Sequence, residues 1–136
     1  MKMKLMAVAV AAVLGFPCMG YAALSKEERK AEQDRISGTY KAAKATCDGM
    51  KGNAKDICMA EAKGAQKVAK AELEAQDKGT AKEQAKVRVA RAEAEYGVAK
   101  EKCDELKGKD KDACQKDAKA ALNRVKSEAK VAKASK

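Results

Sequence analysis

The chain has 136 residues, of which 37% are charged, 46% are hydrophobic and only 3% are aromatic, and its formal net charge is +10. Alanine is by far the commonest of the hydrophobic residues. Because alanine buries little apolar area, a conventional globular core is not expected. The chain contains no histidine, the side chain best suited to proton transfer and metal ligation near neutral pH. The composition therefore argues against an enzyme and predicts no cofactor.

Residues 1–22 predict a secretory signal peptide. Lys2 and Lys4 precede an apolar run at residues 5–16, and residues 20–22 form a small-x-small cleavage site. The apolar run is too short for a membrane span, and no later segment approaches the roughly 18 apolar residues that a span requires. We therefore expect a periplasmic or secreted protein without a transmembrane span after cleavage.

The cysteine count fits an exported protein. Cleavage after Ala22 removes Cys18 and leaves four cysteines. An even number of cysteines in an exported chain predicts disulfides, because the oxidising compartment is where disulfides form and persist. Removal of the two signal lysines lowers the net charge from +10 to +8. A protein with this charge can be held by anionic surfaces such as lipid headgroups or lipopolysaccharide.

The chain that follows the signal peptide is a tandem repeat. The ungapped alignment that pairs Tyr40 with Tyr96 also superimposes the cysteine pair Cys47 and Cys58 on Cys103 and Cys114. We call this alignment the repeat register. It matches further residues, among them Lys44, Asp48, Gly52, Lys55, Lys63, Lys70 and Glu72 with Lys100, Asp104, Gly108, Lys111, Lys119, Lys126 and Glu128. The repeat register indicates a duplication, with a first repeat at 23–78 and a second at 79–136 that ends in a basic C-terminal tail.

Apolar residues within each repeat recur at helical spacing. Steps of four and three residues connect Ile36, Tyr40, Ala43, Cys47 and Met50 in the first repeat, and Ala85, Val89, Ala92, Tyr96, Ala99, Cys103 and Leu106 in the second. Thinner stripes follow, namely Cys58, Ala62, Ala65, Ala69 and Leu73, then Cys114, Ala118, Ala121, Val125 and Ala132. The pattern predicts an all-α fold of two tandem antiparallel helical hairpins, with four helices and coiled-coil-like, alanine-rich seams.

Capping and turn residues place the helix ends. Ser25 and Thr80 are each followed three residues later by glutamate, which predicts capping boxes at the first and third helices. Gly52 and Gly108 suit the left-handed position that follows a helix. Asn53 is expected to cap the second helix.

Ten residues separate the two cysteines of each repeat, and this spacing allows two connectivities. If a turn falls between them, Cys47 bonds to Cys58 and Cys103 bonds to Cys114. If each segment stays helical, its cysteines lie about 16 Å apart along the axis, beyond disulfide reach, and the bonds run between repeats. The glycines and the asparagine between Cys47 and Cys58 favour the turn. Zinc binding by the four thiolates is not expected, because the oxidising compartment favours disulfides.

Tyr40 and Tyr96 lie on the same predicted seams as the cysteines. Each tyrosine stands seven residues before the first cysteine of its repeat. We expect each ring to fill the widest gap in an alanine-lined seam, with its hydroxyl group at the rim. Stacking on a ligand is the alternative role.

The motif around the cysteines is similar to that of a known group of proteins. Its residues are Tyr40-Lys-Ala-Ala-Lys44, Cys47-Asp48, Gly52-Asn53-Ala54-Lys55-Asp56-Ile57-Cys58 and Glu61-Ala62-Lys63. The chain resembles small exported proteobacterial proteins of unknown function that are tandemly repeated and rich in lysine and alanine, some of them labelled cell-envelope or TolA-like proteins. The resemblance implies export and a repeated helical structure, and it supplies no catalytic activity. The second repeat departs from the motif at residues 107–110.

The sequence as a whole predicts a non-enzymatic exported helical protein with a structural or interaction role at the cell envelope. Its basic surface is expected to bind an anionic envelope component or a protein partner. A disulfide-active or chaperone-like periplasmic factor is the alternative, although neither cysteine pair has the two-residue spacing typical of redox catalysis. Lysine-rich helices can also neutralise nucleic-acid phosphates, but the export signal argues against a native nucleic-acid role.

Overall fold

A computed structural model describes residues 23–134 of the chain, and these residues form four helices. The helices are α1 (Lys26–Asp48), α2 (Gly52–Lys78), α3 (Ala81–Cys103) and α4 (Gly108–Ala134). No strand occurs in this part of the chain, so the predicted all-α fold of four helices is confirmed. The predicted signal peptide lies outside the described residues, and the basic C-terminal segment is helical as far as Ala134.

The first and third helices begin at the residues that the sequence indicates. The Ser25 hydroxyl oxygen accepts a hydrogen bond from the Glu28 N–H at 3.1 Å, and the Glu28 carboxylate accepts one from the Ser25 N–H at 2.9 Å. This is the predicted capping box. At α3 the Thr80 hydroxyl oxygen accepts from the Glu83 N–H at 3.3 Å, but the predicted capping box is incomplete, because the Glu83 carboxylate pairs with Lys86 at 3.1 Å. These bonds satisfy backbone donors that have no partner inside the helix.

Two residues connect α2 to α3. Gly79 has a φ of 61° and its N–H donates to the Ala75 carbonyl at 2.9 Å, which caps α2. Thr80 follows and caps α3. A connection this short returns the chain directly, so α3 packs against α2 as an antiparallel neighbour.

Gly52 and Gly108 adopt the left-handed conformation that the sequence predicts. Their φ angles are 57° and 55°, a region that side-chain-bearing residues rarely occupy. They begin α2 and α4, however, and do not directly follow α1 and α3, which end several residues earlier. The left-handed residue therefore starts the second helix of each hairpin.

Asn53 does not cap α2 as predicted. The N-cap residue is Lys51, whose side chain makes no capping hydrogen bond. Because α2 begins at Gly52, Asn53 already lies in its first turn. The Asn53 side-chain amide donates instead to the Glu101 carbonyl in α3 at 2.9 Å. This asparagine therefore joins the two hairpins.

A disulfide joins the two helices of each hairpin next to their connecting loop. Cys47 is bonded to Cys58 with a Cα–Cα distance of 5.5 Å, and Cys103 is bonded to Cys114 with a Cα–Cα distance of 5.7 Å. This is the connectivity within each hairpin, one of the two that the sequence allows. An ion pair accompanies each disulfide at positions that correspond in the repeat register, Asp48–Lys55 at 3.2 Å and Asp104–Lys111 at 2.9 Å.

The predicted seam positions within α1 and α3 are buried or half-buried, but the α4 stripe is displaced. Ile36, Ala85 and Ala92 are buried as predicted. In α4 the buried residues are Leu122 and Ala129, whereas Ala121 and Ala132 are exposed. Because alanine occurs all around α4, its sequence does not reveal the phase of the buried stripe. Met50 and Leu106 are 40% and 43% exposed, since both lie beyond the ends of α1 and α3.

The four helices form an open array. Among the described helices, α1 packs on α2, α2 on α3 and α3 on α4, and no other pair is in contact. The α2–α3 interface is the most extensive of the three, so the two hairpins dock on each other. Helices α1 and α4 form the two edges of the array, and each has only one helical neighbour.

Gly64 of α2 makes a close contact with α3. This glycine is buried, and a β-carbon placed on it would lie 2.7 Å from the Ala94 Cβ in α3. A separation this short does not occur between real side chains. Gly97, on α3, has no atom within 4 Å of the corresponding β-carbon position. Gly64 is therefore required for the close approach of the two hairpins.

We predict that Gly64→Val destabilises the protein more than Gly97→Val. Both substitutions change helix propensity by the same amount, so the difference between them isolates the contact with Ala94. Overpacking at a close contact should make this difference about 2 kcal/mol. Urea unfolding of the two oxidised variants measures it. Equal stability of the two variants would show that the hairpins do not dock through Gly64.

Candidate anion-binding face

The cysteines that the sequence singles out lie in the hairpin seams, next to the loops that connect the helices. Cys47 and Cys103 are 1% and 0% exposed and are the largest fully buried side chains of the described residues. Their partners Cys58 and Cys114 are half-buried. Attack on a disulfide requires access to a sulfur atom, and burial restricts that access. This geometry supports a structural role for both bonds.

The two tyrosines occupy corresponding positions in the two hairpins. Tyr40 is half-buried and lines a small apolar cleft with Ile36 and Ala62. Tyr96 is half-buried as well and lines a cleft with Ala92 and Ala118. Each ring thus lies between the two helices of its hairpin, among the alanines of the seam, which supports the expected gap-filling role.

Glu93 is the centre of the charge arrangement. Its carboxylate forms an ion pair with Lys67 of α2 and another with Lys126 of α4, the latter at 2.8 Å. Glu93 lies on α3, so one carboxylate links three consecutive helices. The hydrogen bonds from Lys126 and Lys67 hold the pKa of Glu93 below its ordinary range. The side chain is 25% exposed, so these contacts are partly screened by water.

Further lysines lie on the same side of the array as Glu93. Residues three, four or seven apart share one side of a helix. Lys63 and Lys70 flank Lys67 at these spacings, Lys119 precedes Lys126 by seven residues, and Lys100 follows Glu93 by seven. Lys44 occupies the position in α1 that corresponds to Lys100. We define the lysine face by the exposed residues Lys44, Lys63, Lys70, Lys100 and Lys119.

The lysine face contains no ion pair among the described side chains, although Lys100, after Lys111, contributes to the lowered pKa of the Asp104 carboxyl group. None of its five lysines forms an ion pair with any residue at 23–132, where side chains are described. They recur in the repeat register, because Lys44 corresponds to Lys100 and Lys63 to Lys119. The face therefore presents the same unpaired cations twice.

Two arginines on the other side of the array are paired with glutamates. Arg91 stands two residues before Glu93, and Arg124 stands two residues before Lys126. Each arginine therefore lies about 200° around its helix from that residue. Arg91 forms an ion pair with Glu72 of α2 at 2.6 Å, and Arg124 one with Glu128 at 4.0 Å. Two arginine charges of that side are thus paired, whereas no lysine of the lysine face forms an ion pair.

Sequence analysis predicted a basic surface but missed its arrangement. Glu93 and its two lysine partners were not singled out, because their contacts depend on the docking of the two hairpins. The recurrence of lysine at Lys63 and Lys119, and at Lys70 and Lys126, is the signal that could have located the face. In α2, Lys70 lies seven residues after Lys63, so both must point to one side.

Neither a metal site nor a membrane span is found in the described chain. No group of three or more histidine, cysteine, aspartate or glutamate side chains at 23–132 could hold a metal ion. Among helices α1 to α4, none is long and apolar enough to cross a membrane. Comparison with known proteins found no family model that matches the chain, and no curated protein or solved structure with significant similarity.

We predict that Glu93→Gln lowers stability at neutral pH by about 1 kcal/mol, the size typical of partly exposed ion pairs. The folded-state pKa of Glu93 is depressed, so the ion pairs stabilise the protein fully above the ordinary pKa of about 4.5 and are lost as the pH falls through the lower folded value. The deficit of the variant should therefore vanish at acid pH. Unfolding free energies between pH 3 and pH 7 measure it.

The control for this prediction is Glu95→Gln. Glu95 is exposed and forms no ion pair with the described side chains, so its substitution removes the same charge without breaking a link between helices. An equal loss of stability in both variants, or a deficit of Glu93→Gln that persists at pH 3, would contradict the proposed role of Glu93.

Proposed function

We propose that this protein is a non-enzymatic, exported interaction protein that binds a phosphate-bearing anionic surface of the cell envelope through its lysine face. The observation that carries the proposal is the set of five exposed lysines without an ion-pair partner on one side of the array. The predicted signal peptide, the two disulfides and the resemblance to exported lysine-rich proteins support an envelope location.

The spacing of the lysine face suits a surface with many negative charges. Lys63 and Lys70 are seven residues apart, a distance of about 10.5 Å along the helix. Neighbouring helices are separated by about 8–10 Å, so lysines on adjacent helices are spaced similarly. Each lysine near an anionic membrane contributes about 1 kcal/mol. Five lysines together therefore give an attraction of about 5 kcal/mol, provided that they touch one continuous surface.

The chemistry of lysine fits a partner without fixed geometry. An ammonium group is a compact, hydrated charge on a flexible stem, whereas arginine recognises a carboxylate or phosphate through a rigid fork. The lysine face contains no arginine, and Arg91 and Arg124 are engaged with glutamates. Binding by the lysine face should therefore depend on charge density and on salt, and little on the detailed shape of the ligand.

Two other functions are less well supported by the geometry. A disulfide-active or chaperone-like factor needs accessible sulfur, and Cys47 and Cys103 are buried. Nucleic-acid phosphates would also attract the lysine face, but a protein with the predicted signal peptide leaves the compartment that holds the nucleic acid. The proposed duplication of the chain adds a reason for the lysine face, since it doubles the number of cations on one side.

We predict that the double substitution Lys63→Gln and Lys119→Gln weakens binding to phosphatidylglycerol vesicles and to lipopolysaccharide by about tenfold or more, because two contacts of about 1 kcal/mol each are lost. The matched control is Arg88→Gln with Lys102→Gln, which removes the same charge from two exposed residues on the Arg91 side of α3. Vesicle co-sedimentation between low and moderate salt measures both variants.

The control should bind within about threefold of the unchanged protein, because its substitutions lie away from the lysine face. Vesicles made only of phosphatidylcholine should not retain the protein. Equal weakening in the two double variants would show that only net charge matters. Binding that is insensitive to salt would contradict the proposal directly.

A further inference from the structure

The two edges of the array present surfaces that are matched by an interface inside the protein. In the interior, α2 packs on α3. In the repeat register, the residues of α4 correspond to those of α2, and the residues of α1 correspond to those of α3. The outer side of α4 is thus the counterpart of the side of α2 that contacts α3. The outer side of α1 is likewise the counterpart of the side of α3 that contacts α2.

We infer that copies of this protein associate head to tail, with the outer side of α4 of one copy packed on the outer side of α1 of the next in the antiparallel register of the α2–α3 interface. The partner is a second copy of the same chain. This inference does not rest on the proposed binding of an anionic surface, because it concerns the edges of the array and not the lysine face.

The close contact of Gly64 with Ala94 in the internal interface has a matching pair on the edges. Gly64 of α2 approaches Ala94 of α3 so closely that no β-carbon fits on Gly64. The corresponding residues are Ala120 on α4 and Gly38 on α1, both exposed. The glycine and the alanine have changed places, so the pair has the same total size. The β-carbon position of Gly38 has no atom within 4 Å and can receive the Ala120 side chain of another copy.

The ion pair across the internal interface is also matched. Arg91 and Glu72 join α3 to α2 at 2.6 Å. The corresponding residues on the edges are Arg35 of α1 and Glu128 of α4, so the same two charges face each other in the same order. Within a single copy both edge residues are paired inside their own helices, Arg35 with Glu32 and Glu128 with Arg124.

One position that differs from the internal interface carries complementary charges on the two edges. Val68 lies one helical turn after Gly64, and Ala90 lies one turn before Ala94. Because α2 and α3 are antiparallel, both residues lie at the same end of the Gly64–Ala94 contact. Their counterparts are Arg124 on α4 and Asp34 on α1, two residues of opposite charge. Both are exposed.

A second difference replaces charges with neutral polar groups. The Lys67–Glu93 ion pair of the internal interface corresponds to Asn123 on α4 and Ser37 on α1. Both residues can donate and accept hydrogen bonds. None of the four matched positions therefore brings two like charges together, although the protein as a whole is strongly cationic.

The geometry of this contact does not close on itself in a dimer. Two different surfaces meet, so in a pair one copy keeps a free α1 edge and the other a free α4 edge, and further association gives open chains or rings. One pair of helices is a small interface, so the contact should be weak and concentration-dependent. Open chains of the array would also place successive lysine faces side by side.

The test is sedimentation velocity of the full, oxidised protein over a wide concentration range at physiological ionic strength, where net repulsion is screened beyond about 8 Å. We expect the average mass to rise continuously with concentration, past that of a dimer. Asp34→Arg and Arg124→Asp should each reduce association about tenfold, because each places like charges in contact. The double variant that carries both substitutions should restore it, since the charges are then exchanged.

Two further variants keep the result independent of folding and of the proposed function. Gly38→Leu should abolish association while leaving the melting temperature of the single molecule unchanged or higher, because a β-carbon on Gly38 has no atom of the protein within 4 Å and leucine favours a helix more than glycine does. Lys63→Gln with Lys119→Gln should associate like the unchanged protein. A chain that stays monomeric at all concentrations, one that stops at a dimer, or a charge-exchanged variant no better than its single parents would overturn the inference.

Discussion

The disulfide next to the connecting loop of each hairpin is the constraint on which the rest of the structure depends. The helices are joined by seams made mostly of alanine, and alanine removes little apolar area from water. The largest side chains that the seams bury completely are Cys47 and Cys103. Closing a loop of this length stabilises a hairpin by about 3 kcal/mol in the chain-entropy model. The covalent bond thus stabilises hairpins whose seams bury few large apolar side chains.

Once each hairpin is closed, small residues allow the hairpins to dock. Gly64 brings α2 close to α3, and the Asn53 amide fixes the start of α2 to the end of α3. Docking then lets Glu93 reach lysines on both neighbouring helices. The five lysines of the lysine face form no ion pair with the described side chains, and this leaves a cationic face on that side of the array.

The sequence predicts the elements of this fold better than their packing. The helix starts at Ser25 and Thr80, the left-handed glycines and the turn between the paired cysteines follow from local chemistry, which a single sequence contains. The α2–α3 interface does not follow in this way, because α2 and α3 each bury two stripes and the second stripe consists of residues as small as Gly64 and Ala90. An alanine-rich helix offers several such stripes, and only the tertiary structure selects among them.

The same limit explains what was missed at the candidate site. A basic surface follows from composition, and the recurrence of lysine in the repeat register indicates which lysines share a side. The link from Glu93 to α2 and α4 requires that the hairpins dock. The departure at Asn53 has a similar origin, since its partner Glu101 lies in the other hairpin, far away in the sequence.

Thermal unfolding followed by far-UV circular dichroism, with and without reductant and at low and moderate salt, tests the central claim most directly. If the disulfides support the tertiary structure, the oxidised protein unfolds cooperatively. The reduced protein should then keep appreciable local helix but lose the cooperative transition, because helix propensity survives without packing. A reduced protein that unfolds as cooperatively as the oxidised one, at the same temperature, would contradict the claim and show that the alanine seams hold the fold by themselves.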